Sequence, residues 1–221
     1  MQSSNTVTRW LAFASLPGGV MLALAWSIPA ASLLPNMFAA DARNVAGPTN
    51  DAALLSQWLT LGFAVLFACA AVPAIAKAAR VGWAGALGAV LYALGAFFLA
   101  VQTVFAITSA ATVLPWHWLL MPALLSFGSL LFGLAAFRSG ALPRGAALLL
   151  AFIQPTALFG VAGPDAGAAL LGTDFGLAAN TWLRLYGYVG MFGVAAAWVW
   201  LGFGIWRRAP APATSARTVT A

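Results

Sequence analysis

The side chains able to do chemistry are few and scattered. The 221 residues hold one histidine, four aspartates, no glutamate, one cysteine and ten basic residues. His117 stands between Trp116 and Trp118, with Met121 four residues on, so the imidazole and the thioether can share a helix face. Such a pair could help to hold a soft metal or a haem edge. Metal sites gather three or four ligands, however, and a histidine in an interfacial aromatic belt accounts for the same residues. His117 with Asp165 or Asp174 could instead serve a lipid-modifying enzyme at a membrane surface. Arg184 could pair with either aspartate, or simply anchor its helix by extending its head to water.

A second group is polar but uncharged. Gln102, Gln154 and Tyr188 fall inside long apolar runs, where they could line a site for a small apolar or lipid-like solute. Gln154 precedes Pro155, which lacks an N–H and crowds the turn holding the Ala151 carbonyl, so a break in that helix is expected. Broken helices mark binding sites in some transporters. They are also repaired by side-chain amides, and glutamine is common interhelical glue. The packing role is the expected one. Cys69 lies in an apolar run and is expected to be a small buried hydrophobe; alone it makes no internal disulfide.

Other chemistries are excluded by pattern. The chain has no phosphate-binding P-loop, no HExxH, no cysteine pair and no GxSxG elbow. Gly187, Gly190 and Gly193 do not form a dinucleotide fingerprint, and no strand precedes them. No cofactor is expected. The basic residues occur singly or in pairs without a stripe, so nucleic acid is not a partner. No charged residue falls deep in an apolar run, which argues against a proton- or sodium-coupled transporter.

The elements that must position these residues are membrane helices. The chain is 63% hydrophobic and 6% charged, against about 25% charged in soluble domains. So few charges cannot clothe a water-facing surface, and the lipid bilayer is the expected surrounding. Crossing takes about 20 apolar residues. Six stretches qualify, at about 10–34, 52–76, 83–108, 118–137, 145–161 and 181–206, followed by a polar, Pro- and Ala-rich tail over 209–221 expected to be disordered. The fold class is therefore all-α: one domain over 1–208, with six transmembrane helices in an antiparallel up-down bundle. The first stretch is too long for a signal peptide and is expected to be retained. Pro17-Gly18-Gly19 should kink it.

Punctuation supports these bounds. Asn50 and Asp51 suit a helix start, and Arg138 suits the end of the fourth helix. Gly140 can take a left-handed cap, and Pro143 suits a first helical turn. Glycines at 85, 88 and 95, and at 187, 190 and 193, leave faces that a neighbouring backbone can approach. They suggest packing against a second copy or a membrane partner. If the N-terminus is cytoplasmic, eight of the ten basic residues lie on the cytoplasmic side: Arg9, Lys77, Arg80, Arg138, Arg144, Arg207, Arg208 and Arg217. All four aspartates lie on the other. This is the positive-inside pattern of an inner-membrane protein with both termini cytoplasmic.

The turn Phe137-Arg138-Ser139-Gly140 with Leu142-Pro143-Arg144 resembles the RSG-x-LPR turn of six-helix bacterial membrane proteins of unknown function. Asp51-Ala52-Ala53, the glycine-rich third helix and the closing Arg207-Arg208 resemble them as well. The resemblance implies a fold and no catalytic residues. The expected function is that of a non-enzymatic accessory or assembly protein of the membrane. A carrier or channel, or a lipid-modifying enzyme, are the alternatives.

Overall fold

In the computed structural model, residues 10, 12–33, 50–108, 117–140, 142–161 and 177–208 are described. They are helical almost throughout, with no strand among them. Helix α1 is Ser15–Leu33. Helix α2, Asn50–Leu66, passes through a π-helical turn, Phe67–Ala71, into α3, Val72–Ala79. Helix α4 is Gly82–Ile107 and α5 is His117–Ser139. Helix α6, Arg144–Leu148, leads through a second π-helical turn, Leu149–Ile153, into α7 at 154–161. Helix α8 is Leu177–Arg208.

Five helical paths are long and apolar enough to cross a membrane: Asp51–Lys77, Gly82–Ile107, Leu120–Ser139, Arg144–Val161 and Trp182–Arg207. The first apolar helix is shorter among the described residues, at Ser15–Ala31. Helical residues 12–13 are interrupted by a turn at Ala14, close to the kink expected from Pro17, and regular helix resumes at Ser15, so Pro17 falls in its first turn, where a missing N–H costs little. Gly18 and Gly19 beside it let other elements close in. A Cβ on Gly18 would strike the Phe67 ring, and one on Gly19 would sit 2.8 Å from the Ala195 carbonyl oxygen.

The two π turns have one cause. Each ends two residues before a proline, Pro73 and Pro155. A proline cannot donate to the carbonyl four residues back and its ring crowds that carbonyl. Widening the preceding turn relieves the crowding, and the Val72 N–H reaches back five residues to the Phe67 carbonyl. The break expected at Pro155 is thus a bulge within a helical path that continues to Val161.

The glycines decide how the helices meet. Gly85 of α4 lies by Ala135 of α5, Gly88 by Phe132, and Gly95 by Leu125, so positions rise along one helix as they fall along the other. Gly128 returns the contact, since a Cβ there would lie 2.5 Å from the Tyr92 nitrogen. Gly160 and Gly187 meet backbone to backbone, and Gly190 faces Ala157. The faces expected to receive a partner are therefore filled by the chain's own helices.

The same registers bring five basic residues to one end, away from Arg184 near the start of α8. Trp10 and Trp206 rings stand 4.9 Å apart, Pro143 touches Gly204, and Gly85 is near Ala135. This end carries Lys77, Arg80, Arg138, Arg144 and Arg207, all exposed. Asp51 begins α2 at the opposite end, where the Ser56 hydroxyl donates to the Ala25 carbonyl at 2.9 Å. Gly140 takes the left-handed conformation, φ +62°, that closes α5, and Pro143 stands one residue before α6. Cys69, expected to be buried, is exposed: the π turn that holds Phe67 inside turns the thiol outward.

Candidate functional site

The polar centre of the protein is a buried three-residue knot. Gln154, the first residue after the second π turn, donates from Nε2 to the Tyr92 hydroxyl at 2.8 Å. Trp198 of α8 donates from Nε1 to the same oxygen at 3.2 Å. Gln154 is 2% exposed, Tyr92 1% and Trp198 0%, so the knot has no opening to the protein's surface through its own side chains.

Aromatic rings close it. The Trp198 ring meets Phe67 edge-on at 4.5 Å and stacks with Phe132 at 6.0 Å; Tyr92 lies 5.1 Å away. Phe67 opens the first π turn and Gln154 caps the second, so both bulges aim residues at one point. Contributions come from α4, α5, the first π turn, the start of α7 and α8, and Gly18 of α1 rests on Phe67. In hydrocarbon no water competes for these groups, so their mutual bonds fix which helix faces meet.

One acceptor in the knot has no donor. The Oε1 atom of Gln154 is buried and unpartnered. With the amide turned over, Tyr92 O–H donates to Oε1 while its oxygen still accepts from Trp198, which pairs both oxygens. Either orientation keeps the link between Gln154 and Tyr92.

Of the buried polar residues singled out by sequence, only Gln154 belongs to the knot. Gln102 lies ten residues beyond Tyr92 on α4, roughly 15 Å along the axis, and its own Oε1 is also buried without a partner. Tyr188 is ten residues from Trp198 on α8 and packs its ring against Trp26 at 5.5 Å. Gln154 therefore meets neither Gln102 nor Tyr188 in the knot. The amide also serves Tyr92 rather than a carbonyl freed by Pro155. The His117 side chain, Asp165 and Asp174 lie outside the described residues; Arg184 is half-buried near the start of α8. No group of three metal-ligating side chains gathers among the described residues.

From the sequence, Tyr92 reads as one polar group at depth among several and Trp198 as a packing residue, and neither is marked as a partner of Gln154. A signal was present. Tyr92 is four residues after Gly88 and three before Gly95, on the face that the glycines make narrow. A large residue with a polar tip on such a face must find its partner inside. Trp198 likewise shares the α8 face of Gly187, Gly190 and Val194.

The chain matches no family model, no curated protein and no solved structure. The likeness carried by residues 137–144 is neither strengthened nor weakened by these comparisons.

Proposed function

We propose that this chain is a multi-pass protein of the bacterial inner membrane, with six spans in an antiparallel up-down bundle and both termini in the cytoplasm. It acts as a non-enzymatic accessory or assembly protein. One observation carries this reading: Gln154, the deep polar group best placed for a ligand, is tied to Tyr92 and Trp198 and sealed by Phe67 and Phe132. A carrier built on Gln102, Gln154 and Tyr188 needs those groups around one shared space, and the roughly 15 Å between Gln102 and Tyr92 along α4 speaks against it. Since the glycine faces are filled from within, a second copy or a membrane partner would meet the exposed apolar faces. The outer face of α4, with Trp83, Val90 and Phe97, is one of them.

The test is native mass spectrometry of the full chain extracted in several mild detergents. An accessory protein leaves the membrane as a stable oligomer or with a stoichiometric partner. A monomer in every detergent that retains an apolar solute, and loses it on Gln154→Ala, would replace this reading with the carrier.

A further inference from the structure

We infer that the seam between α6 and α8 at the basic end is a binding site for an anionic phospholipid. It would seat the phosphate between Arg144 and Arg207 and an acyl chain along the apolar strip beneath them. The inference rests on the membrane-spanning part of the proposed function and not on the accessory role.

Two helices carry the same order of side chains. On α8, Arg207, Phe203 and Trp200 are spaced to share one face, and all three are exposed. On α6, Arg144 and the exposed Leu148 are four residues apart and likewise share a face. The two faces adjoin, because the Trp200 ring lies over Gly145, 3.0 Å from where a Cβ would stand, and Pro143 touches Gly204. Each stripe thus begins with a cation at the end of the molecule and becomes apolar on moving inward. That is the order of an anionic lipid, phosphate first and hydrocarbon after.

The cations are left for such a ligand. Neither Arg144 nor Arg207 makes an ion pair among the described residues, and Asp51, the one described acid, begins α2 at the opposite end. Arg207 instead lies over the Phe203 ring, its guanidinium carbon 4.2 Å from the ring centroid, which places the cation beside the apolar strip.

The experiment uses the full chain in detergent, titrated with phosphatidylglycerol, with phosphatidylcholine as the neutral lipid and glycerol phosphate as the headgroup without chains. Bound lipid is counted by native mass spectrometry. The expected result is retention of phosphatidylglycerol over phosphatidylcholine, weak binding of glycerol phosphate, and roughly tenfold weaker retention in the R144Q/R207Q variant, in line with the attraction of basic residues to anionic lipid. The K77Q/R80Q variant removes the same charge at the same end and should retain lipid as the parent does. Equal loss in both variants, or none in R144Q/R207Q, would overturn the site. The melting temperature of each variant separates loss of lipid from loss of fold. Labelling of introduced cysteines reports the topology independently, so failure of one leaves the other standing.

Discussion

Gln154 and Tyr92 are 62 residues apart in sequence and joined by a 2.8 Å hydrogen bond at the buried centre of the helices. Trp198 shares the same hydroxyl oxygen. The arrangement makes the hydroxyl the hub and the amide one of its spokes, so the two ends of the bond are not equivalent. Removing the hub takes the partner from both the Gln154 amide and the Trp198 N–H, whereas removing one spoke leaves the other intact.

Tyr92→Phe is therefore expected to destabilise more than Gln154→Leu. The hydroxyl loss should cost about 1–3 kcal/mol, and the amide replacement, which puts an apolar group of similar size in place of a half-satisfied amide, should cost less than about 1 kcal/mol. Thermal or denaturant unfolding in one detergent measures both. Equal losses would mean that the hydroxyl is not the hub.

Trp198→Phe separates the ring from its N–H. The variant keeps aromatic contact with Phe67 and Phe132 but gives up the donor to Tyr92, and should cost about 0.5–1.5 kcal/mol beyond its change in size. Trp198→Ala also empties the space at the meeting point of the helices, and should cost about 3–5 kcal/mol. Unfolding midpoints for the two variants distinguish a bond from a cavity.

The glycines give opposite outcomes for one substitution. Gly128→Ala puts a methyl 2.5 Å from the Tyr92 backbone nitrogen, an overpacking expected to cost about 1–3 kcal/mol or more. Gly193→Ala meets only the Ile153 side chain at 3.4 Å, and should be neutral or stabilising by up to about 1 kcal/mol through helix propensity. The comparison is made on melting temperature, and a similar effect at both positions would contradict the register of α4 on α5.

Cys69 is exposed in a helical path long enough to cross the bilayer. A thiol facing hydrocarbon is out of reach of a reagent confined to water. Membrane-impermeant maleimide should leave Cys69 unlabelled in intact membranes and label it after denaturation. Cys69→Ala should change stability by less than about 0.5 kcal/mol. In that background Ser139→Cys is expected to react only once the reagent reaches the cytoplasm; reaction from outside would overturn the proposed orientation.

Much of the fold was legible because lipid imposes a strong composition. The stretch expected at 83–108 runs Gly82–Ile107, and that at 145–161 follows the path Arg144–Val161. Gly140 reads as a left-handed cap from its place between Arg138 and Pro143, and takes that conformation. The two π turns were not legible. A proline announces a disturbed helix, but whether the chain kinks, breaks or widens depends on what packs on the next turn, here Gly133 against the Ala147 carbonyl oxygen and the Ala151 nitrogen. The knot was half legible. Gln154 stands out as an amide in an apolar run, but its partner could have been any polar group at similar depth. The choice of Tyr92 over Gln102 or Tyr188 follows from the widened turn and from the close approach of α4 to α5, neither of which is local in sequence.

The most direct test of the claim that this amide holds the helices together is a double-mutant cycle on Gln154→Leu and Tyr92→Phe, followed by reversible unfolding in mixed micelles. A structural link predicts that the two losses are not additive, with a coupling of roughly 0.6 kcal/mol and up to about 1.7 kcal/mol, as found for hydrogen bonds between membrane helices. Additive losses with no coupling would contradict the account and return Gln154 to the candidates for a solute site.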